Sequence, residues 1–406
     1  MIPASPRRIL LVDADAFYVA VARMIDPEGA GKATLLIVGG ARESRGVVCS
    51  ASYETRRFGV RSAMPTSQAL RLCPDAMCVP VPHRQCSVKS REIADVLDRF
   101  APVVESASID EWYLDLAGTE GLFHHEPLAE TARRIRETVV KETGLTVSIG
   151  GGVSKLVAKL AVERAKPSVG AAGVHIVAPG DEAAFLRGFA LAEIPQVGPR
   201  FQERLAKLGM HRVPDVLQYD LDTLRAWLGM RDAEWLHERV LGRDDAVVQP
   251  RSEVKSISRD ETFPADIHDD CRLEEELLRL VVRGASDLRG DKLRARTITV
   301  RIRDHDFKSR QASHTLSEVV EADRVIFDVA RALLAKLRKA RRVPARRLTV
   351  ALSSLAGSAI GEQLALLDDG RAHRETERDR TLSRTVDRLR DRFGDDAIVP
   401  ARLRHQ

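Results

Sequence analysis

Two groups of carboxylates stand out because each lies beside a short apolar run. Asp13 and Asp15 follow the run Ile9–Val12 directly, and Asp110 and Glu111 lie near a reversal between two apolar stretches. Such runs are typical of strands buried in a sheet, so we expect each acidic group at the end of a strand. Strands of one sheet can bring such ends close together even when they are far apart in sequence.

Clustered carboxylates repel one another and therefore favour divalent cations. Oxygen ligands suit Mg²⁺, which usually works together with substrate phosphates. Two such ions about 4 Å apart activate an attacking hydroxyl and stabilise the transition state of phosphoryl transfer. Asp13, Asp110 and Glu111 therefore indicate metal-assisted nucleotidyl transfer, although an Asp-x-Asp pattern taken alone is also typical of surface acids at strand ends.

Three predicted strands would place these acids in one sheet. Residues 103–115 have the pattern of strand, tight reversal and strand, with Asp110 and Glu111 near the turn. Residues 146–149 predict a third strand, which we expect Gly150–Gly152 to close.

Helices are predicted on both sides of the third strand. Residues 124–142 have helical periodicity, and Ser154 is a suitable N-cap for a helix that extends to about Ala165. Pro167 ends this helix because proline cannot continue it. Residues 1–170 therefore predict an α+β fold with an antiparallel or mixed sheet.

The region from Pro179 to about Gly242 changes to a pattern of short helices. Within it, residues 194–209 place a tight turn before an amphipathic helix, which resembles a helix-hairpin-helix. The turn amides of this motif bind a phosphate, although Gln196 stands where a first glycine is usual. Residues 243–252 are polar and irregular, which predicts a linker.

Residues 253–355 predict a second α+β unit with a basic face. The segment Thr297–Arg303 alternates strictly, so its isoleucines and valine belong to the core face, and Arg301 and Arg303 belong to the other face. Residues 331–347 carry eight basic and no acidic side chains. Such a run is often a solvated face, but unrelieved positive charge beside a basic sheet favours phosphate binding. The candidate phosphate-binding arginines are Arg301, Arg303, Arg341, Arg342, Arg346 and Arg347.

Residues 356–406 form a tail with two features. The segment Gln363–Leu367 reads Gln-Leu-Ala-Leu-Leu, and a polar stretch separates it from residues 382–393. The latter carry apolar side chains at helical spacing before Gly394, which predicts an amphipathic helix. We expect a tether with an appended helix.

The composition limits the class of protein. At 406 residues the chain is long enough for about two to four domains. With 44% hydrophobic and 30% charged residues it should fold over most of its length, while a net charge of +5 says little about nucleic-acid binding. Five scattered cysteines without a CxxC pair argue against a disulfide framework or a zinc module. No apolar run approaches the ~18 residues of a membrane helix, so we expect a cytosolic protein without a membrane anchor.

Six motifs, in family order, resemble those of the Y family of translesion DNA polymerases, nearest to its bacterial DinB, DNA polymerase IV-like branch. The motifs are VDADAFYVAV (12–21), SASYETRRFGVRSAMP (50–65), SASIDEWYLDL (106–116), SIGGGVSKLVAKLAVERAKPSVG (148–170), IPQVGPRFQERLAKLG (194–209) and VKSISRDETF (254–263). Together they span about residues 1–355, so a chance match is negligible.

The resemblance implies an α+β multidomain right-hand polymerase with a palm, small fingers, a helical thumb that contains the helix-hairpin-helix, and an α+β little finger. The implied boundaries are 1–15 and 82–173 for the palm, 16–81 for the fingers, 174–242 for the thumb, 243–252 for the linker, 253–355 for the little finger and 356–406 for the tail.

The resemblance also implies roles for individual residues. Asp13, Asp110 and Glu111 match the catalytic, metal-binding acids, with the carbonyl of Ala14 as a further ligand for two ions of Mg²⁺ or Mn²⁺. Tyr18 matches the steric gate that excludes ribonucleotides. The residues that match nucleotide-binding positions are Tyr18, Ser50, Tyr53, Arg56 and Lys166.

Some positions depart from the family pattern. Ala22 replaces a glutamate after the steric gate, Ser154 replaces an asparagine at the start of the palm helix, and Gln196 replaces a glycine in the thumb. None of these changes removes a metal ligand, and Asp15 is left outside the metal set. The three departures from the family pattern affect how the substrate is positioned and how the thumb binds DNA.

The implied function is template-directed, low-fidelity, distributive DNA synthesis in DNA repair and damage tolerance. The implied partners are primed template DNA, deoxynucleoside triphosphates and the bacterial sliding clamp, for a monomeric protein of the bacterial cytoplasm and nucleoid. Gln363, Leu364 and Leu366 resemble the Gln-Leu-x-Leu-Phe peptides that bind this clamp, with Leu367 in place of the aromatic residue. An ordinary apolar turn before the terminal helix is the alternative.

Two other functions are weighed against polymerase activity. A non-catalytic Y-family scaffold in a mutagenesis complex would not need Asp13, Asp110 and Glu111, all of which are present. A palm-type nucleotidyl cyclase would need neither a basic second α+β domain nor a helix-hairpin-helix. No second acidic cluster has the spacing of a proofreading exonuclease, so we expect errors to persist.

Overall fold

The computed structural model divides the chain into two compact units, residues 1–252 and 253–406. It describes residues 7–41, 45–250, 253–357, 375–394 and 396–403. Among the helices in these ranges, none is both long and apolar enough to cross a bilayer.

The first unit contains two sheets and many helices. Its strands are β1 (Ile9–Ala14), β2 (Leu36–Gly39), β3 (Val48–Ala51), β4 (Met77–Val79), β5 (Val103–Ser106), β6 (Glu111–Asp115), β7 (Val147–Gly152) and β8 (Val174–Ile176). Its helices are α1 (Phe17–Ile25), α2 (Tyr53–Arg56), α3 (Thr66–Leu72), α4 (His83–Leu97), α5 (Leu128–Thr143), α6 (Lys155–Ala165), α7 (Glu182–Leu186), α8 (Pro199–Lys207), α9 (Val213–Val216), α10 (Leu221–Leu228) and α11 (Met230–Val240).

The larger sheet of the first unit has the strand order β5-β6-β1-β7-β8. Its central strand, β1, pairs antiparallel with β6 and β7 and is buried over its whole length. Leu10 and Val12 face a core formed with α4 and α5, whereas Ile9 and Leu11 face α6. Helices on both faces explain why β1 is a continuous apolar run. The predicted α+β fold is confirmed.

The third predicted strand is longer than expected. β7 includes Gly150–Gly152, so these glycines lie inside the sheet and do not close it. A Cβ on Gly150 would be 2.1 Å from the backbone nitrogen of Val162 and 2.4 Å from the carbonyl oxygen of Ala158. The prediction of a closing turn was wrong, because the strand continues through these glycines and Gly150 allows α6 to pack directly on β7.

Helix α6 confirms the predicted cap and end. Ser154 Oγ accepts a hydrogen bond from the N–H of Val157 at 3.2 Å, and the helix ends at Ala165. The other predicted helix, α5, starts at Leu128 and not at residue 124, directly after Pro127. Proline favours such a start because its fixed φ suits a helix beginning but its missing N–H does not suit a helix interior.

The rest of the first unit has a second sheet and a helical region. The smaller sheet has the strand order β3-β2-β4. Helices α7 to α11 pack around an apolar core that includes Phe189, Leu205 and Leu236, which confirms the predicted short helices. β8 pairs with β7, so the larger sheet extends past the predicted palm boundary at residue 173. The other predicted boundaries between palm, fingers and thumb stay predictions.

Residues 243–250 lack regular secondary structure, as predicted for a linker, but they are packed within the first unit. Val248 is buried in a cluster with Ile9. The N–H of Gln249 donates to Glu105 Oε2 at 2.9 Å. The polar composition therefore predicted the irregular backbone but not its packing against β1 and β5.

The second unit is a sheet of long strands with helices on one face. Its strands are β9 (Ser256–Ile267), β10 (Leu293–Asp304), β11 (Ser309–Val320) and β12 (Ala345–Gly357), in the order β11-β10-β12-β9. Its helices are α12 (Asp270–Gly290), α13 (Asp323–Ala340) and α14 (Glu377–Phe393). Ile298, Val300 and Ile302 are fully buried in the core with α12 and α13, which confirms the predicted alternation.

The predicted terminal helix is confirmed as α14, and buried charged groups help to hold it in place. Arg289, whose side chain is 5% exposed, pairs with Asp387 on α14 and with Asp323 on α13. Leu382 and Phe393 on α14 remain 62% and 64% exposed. The helix is thus part of the second unit, and the prediction of a mere appendage was wrong because it read only the apolar spacing.

Candidate active site

Backbone pairing between β1 and β6 brings the predicted acids together. Asp13 lies directly opposite Glu111 in the antiparallel register, and the N–H of Ala14 donates to the carbonyl oxygen of Asp110 at 2.9 Å. On its other side Asp13 lies opposite Ser148 of β7. Because neighbouring strands lie about 5 Å apart, the three acids share one end of the sheet.

Asp13 is the most deeply buried of the three acids. The pKa of its carboxyl is raised to about 7, chiefly by burial, while Lys166 opposes the shift and Glu111 adds to it. Burial disfavours the charged form of a carboxyl, and a nearby cation restores it. The site therefore favours positively charged partners.

Two lysines provide these partners. Lys166 Nζ lies 3.2 Å from Asp13 Oδ2 and 2.8 Å from Glu163 Oε1. Burial lowers the pKa of Lys166, but Asp13 and Glu163 more than offset this and raise it above its ordinary value. The ammonium of Lys159 pairs with Glu111. Each of these two acids thus has its own lysine.

The acids fit a divalent ion by their chemistry, although their side chains are engaged elsewhere. Within the described ranges, no three acidic, histidine or cysteine side chains are close enough to hold one ion as they stand. Lysines hold Asp13 and Glu111, and the hydroxyl of Ser108 donates to Asp110. Carboxylate oxygens and the carbonyl of Ala14 are nevertheless the ligands that Mg²⁺ prefers. A divalent ion would displace the present partners.

Asp15 lies beside these acids and is partly satisfied. Its Oδ1 accepts a hydrogen bond from Ser148 Oγ at 2.7 Å, and its N–H donates to the carbonyl of Thr146 at 3.0 Å. Its Oδ2 is buried and accepts no hydrogen bond from any residue that the structure describes. Because a buried carboxylate oxygen without a partner is costly, this oxygen is an open acceptor for water or a cation.

Tyr18 lies in the first turn of α1, directly after a sharp bend. Ala16 has a φ of 46°, a left-handed conformation that is uncommon for a residue with a Cβ, and it turns the chain from β1 into α1. The Tyr18 ring is half-buried and edge-on to Phe17. Burial and the Asp110 carboxylate raise the pKa of Tyr18. The predicted steric gate therefore lies within electrostatic range of a predicted metal ligand.

Tyr53 and Arg56 form the single turn of α2. The guanidinium carbon of Arg56 lies 4.9 Å from the centroid of the Tyr53 ring, and its Nε donates to the carbonyl of Ala51 at 2.9 Å. Burial and the Asp15 carboxylate raise the pKa of Tyr53, whereas Arg56 and Lys166 act to lower it. Tyr53 is thus electrostatically coupled to Asp15 and to Lys166.

The arrangement combines acids with donors for anions. A hydroxyl, a guanidinium and an ammonium, from Tyr53, Arg56 and Lys166, can bind phosphate oxygens, and the acids can hold the cations that polyphosphates bring. Ser50, predicted to join them, is buried on β3 opposite Val38. The geometry suits a nucleoside triphosphate with divalent ions, and the roles of the individual residues stay predictions.

Two polar residues beside the acids were missed by the sequence analysis. Lys159 pairs with Glu111, and Ser148 donates to Asp15. Lys159 lies seven residues before Lys166, about two helical turns, and this spacing could have indicated that both lysines face the same side. No sequence pattern marks Ser148, because its contact depends on the register between β7 and β1.

The departures from the family pattern have local explanations. Ala22 is buried on α1, and Ser154 still caps α6. Gln196 has a φ of 73°, so it adopts the conformation that a glycine adopts without strain. It precedes Gly198 and Pro199, the N-cap and first residue of α8. The turn therefore keeps its left-handed backbone at an energetic cost.

The predicted phosphate-binding arginines divide into two groups within the second unit. Arg301 and Arg303 on β10 and Arg347 on β12 lie on the sheet face that α12 and α13 do not cover, with Arg303 directly opposite Arg347. Arg346 lies over the exposed ring of Phe307, 4.7 Å from its centroid. These residues form a basic surface, which we call the outer face.

The end of the basic run 331–347 is less positive than its sequence implies. Arg341 pairs with Asp306 at 2.8 Å, and Arg342 pairs with Asp270 at 3.1 Å. The prediction that this charge is unrelieved was wrong, because acids from the β10–β11 hairpin and from α12 neutralise it. Phosphate binding by these two arginines stays a prediction.

The predicted clamp-binding residues Gln363, Leu364 and Leu366 lie outside the described residues. The flanking elements are described: β12 ends at Gly357 before them, and α14 begins at Glu377 after them.

Comparisons with known proteins give matches over nearly the whole chain. Residues 12–163 match the impB/mucB/samB family, and residues 254–366 match the C-terminal domain of that family. The chain is 34% identical over 398 residues to DNA polymerase IV of Dehalococcoides mccartyi strain CBDB1, and the match covers 98% of both chains. It is 37% identical over 351 residues to DNA polymerase IV of Halorhodospira halophila, covering 86% of this chain and 95% of that one.

Solved structures give a consistent result. A Y-family DNA polymerase chimera of Dbh and Dpo4 is similar with a TM-score of 0.74 and 25% identity, over 86% of this chain and 99% of the chimera. An insertion ternary complex of Dbh DNA polymerase is similar with a TM-score of 0.60, 25% identity and the same coverage.

Proposed function

This chain belongs to the Y family of DNA polymerases, the impB/mucB/samB family, and from that premise we propose that it performs translesion DNA synthesis at the site formed by β1 and β6. It is a template-directed DNA polymerase that transfers nucleotides to a primer. The observation that carries the proposed site is the β1–β6 register, which sets Asp13 opposite Glu111 and next to Asp110. With all three acids present and in register, nothing favours a non-catalytic scaffold.

Divalent ions are required by polymerases of this family, and Asp13, Asp110, Glu111 and the carbonyl of Ala14 would hold them here. When bound, such ions activate the primer hydroxyl and neutralise charge on the phosphates. The contribution of this chain is to fix the carboxylates at one strand end, where only cations relieve their repulsion and the burial of Asp13.

The incoming nucleotide would be bound by residues of α2 and by Lys166. Tyr53 and Arg56 offer a hydroxyl and a guanidinium for the triphosphate, and Lys166 can exchange Asp13 for a phosphate oxygen. Ser50 is the remaining predicted contact. Tyr18 would lie under the sugar, where its ring collides with a 2′-hydroxyl.

The DNA would be held by charge and not by base recognition. Arginines of the outer face can bind phosphates of the duplex, and such contacts carry no sequence information. Binding by a few phosphate contacts suits distributive synthesis. The sequence shows no exonuclease site, so a misincorporated nucleotide stays in the primer strand. The resulting fidelity is low.

The central experiment is primer extension with Mg²⁺ or Mn²⁺ on undamaged and lesion-bearing templates. We expect Asp110→Ala with Glu111→Ala to abolish extension and to leave DNA binding largely intact. The matched control is Asp115→Asn, which changes a carboxylate at the other end of β6 and should leave extension unchanged. Undiminished extension by the double variant would disprove the proposed site.

A sliding clamp is the proposed tether partner. The support is the resemblance of Gln363–Leu367 to clamp-binding peptides, and tethering raises the effective concentration of a polymerase that has few DNA contacts. Replacing Gln363, Leu364 and Leu366 by alanine should remove stimulation by the clamp and leave clamp-free extension unchanged. If the triple variant is still pulled down by the clamp, the tether lies elsewhere in the chain.

A further inference from the structure

Helix α6 presents lysines to carboxylates on the larger sheet of the first unit. Lys155, at its first position, binds both oxygens of Glu105 on β5 at 2.6 and 2.7 Å. One turn later, the ammonium of Lys159 pairs with Glu111 at the start of β6. A spacing of four residues places both lysines on one side of the helix. Only the second of these pairs involves a proposed metal ligand.

The Lys159–Glu111 pair lies where an ion is expected. Both side chains are largely covered, with 28% and 24% of their surface exposed. The charge of Lys159 also reaches Asp13, where it helps to lower the pKa that burial raises. One ammonium therefore compensates the acidic cluster from the β6 side, and a divalent ion that binds Glu111 has to displace it.

We propose that Lys159 is a positioning residue that holds Glu111 in the ion-free site and competes with the divalent ion for its carboxylate. The inference rests on the proposed function, because it takes Glu111 as a metal ligand. It assigns to Lys159 a role distinct from that of Lys166, which pairs with Asp13. While Lys159 occupies the carboxylate of Glu111, the protein alone binds a divalent ion weakly. The phosphate oxygens of a bound triphosphate add ligands that help the ion to displace Lys159.

The test is Mn²⁺ binding to the full-length, DNA-free protein, measured by electron paramagnetic resonance with and without a deoxynucleoside triphosphate. Lys159→Gln should bind Mn²⁺ about fivefold more tightly than the wild type without nucleotide, as loss of a partly exposed ion pair permits. Lys159→Arg keeps the charge and should bind Mn²⁺ like the wild type. With nucleotide present, the difference between Lys159→Gln and the wild type should shrink.

The matched control is Lys155→Gln, which removes the neighbouring lysine–carboxylate pair outside the site and should leave Mn²⁺ affinity unchanged. Equal affinities of Lys159→Gln and the wild type would overturn the inference. Equal tightening by Lys155→Gln would also overturn it, because the effect would then reflect net charge alone. Tightening by Lys159→Arg would show that the charge of Lys159 is not what competes.

Failure of the inference can be told apart from failure of the proposed function. Glu111→Ala should weaken Mn²⁺ binding in the same assay, whatever the role of Lys159. If Glu111→Ala binds Mn²⁺ like the wild type, Glu111 is not a metal ligand and the proposed active site is disproved. If Glu111→Ala weakens Mn²⁺ binding and Lys159→Gln does not tighten it, only the proposed role of Lys159 is disproved.

Discussion

The acids at the end of β1 and the start of β6 and the arginines of the second unit are both charge clusters predicted from sequence, but they differ in what fixes their charges. Asp13 and Glu111 are short side chains on directly paired strands, so the backbone register alone brings them together. Arg341 and Arg342 are long side chains at the end of a helix, and they pair with acids that come from other elements.

The difference shows which kind of charge pattern can be interpreted from sequence. A carboxylate separated from the backbone by one or two carbons stays where the strand places it. A guanidinium can reach several ångströms, so its partners depend on whichever acids the fold brings within reach. We therefore expect substitutions in the acid site to abolish or change chemistry, and substitutions among the arginines to have graded effects.

Tyr18→Ala, beside the acids, should cause the largest change in substrate selection. Removing the ring opens the space for a 2′-hydroxyl, so ribonucleotide incorporation should rise by orders of magnitude while deoxyribonucleotide incorporation falls much less. Single-nucleotide incorporation with each substrate measures this ratio. Phe17→Leu, a change in the buried neighbouring ring, is the control. If both substrates respond equally to Tyr18→Ala, the ring supports the fold and is not a gate.

Burial should separate the arginines of the second unit into strong and weak contributors to stability. Arg289→Ala leaves Asp323 and Asp387 without their buried partner and should cost about 3–5 kcal/mol of unfolding free energy. Arg347→Ala breaks a pair with Asp260 in which both side chains are 39% exposed, and should cost at most about 1 kcal/mol.

Urea unfolding followed by far-ultraviolet circular dichroism measures this difference. Every tryptophan lies in the first unit, so tryptophan fluorescence provides an internal reference. The fluorescence transition should stay in place while the dichroism transition of Arg289→Ala moves to lower urea. Equal losses for the two variants would contradict the distinction between buried and exposed pairs.

The outer face and the neutralised end of α13 should differ in their salt response. Replacing Arg301 and Arg303 by alanine should flatten the slope of log affinity for duplex DNA against log salt by about one unit per lost phosphate contact. Replacing Arg341 and Arg342 should change the slope less, because acids already neutralise them. Fluorescence anisotropy at several salt concentrations gives both slopes. A larger change from the second pair would reverse the assignment of the DNA-binding surface.

The smallest effect is expected in the thumb turn, where no charge is involved. Gln196→Gly relieves the left-handed conformation at φ 73° but adds flexibility to the unfolded chain, so it should stabilise the first unit by at most about 1 kcal/mol. Thermal unfolding followed by tryptophan fluorescence checks this. Gly198→Ala is the control, because Gly198 has a negative φ and open space around its Cβ position. Destabilisation by Gln196→Gly would mean that the glutamine side chain has a role of its own.

Local patterns predicted the acid site and the strands that carry it. The apolar run before Asp13, the cap at Ser154 and the alternation of Thr297–Arg303 each depend on neighbours in sequence, and the structure has them as predicted. The glycines of β7 were misread, because they lie inside a strand and, at Gly150, the close neighbour is the backbone of α6 and not a turn. The sequence shows that glycine is required at Gly150 but not what approaches it.

The amino-acid sequence by itself determined the strands that carry the acids, the identity of those acids and the family to which the chain belongs, because these follow from residue types at fixed local spacing. Only the tertiary structure decided the partners: Lys159 for Glu111, Ser148 for Asp15 and, far from them in sequence, Asp387 for Arg289. The physical reason is that strand register and side-chain burial depend on contacts between segments distant in the chain. Those contacts set which charges meet and how strongly they interact.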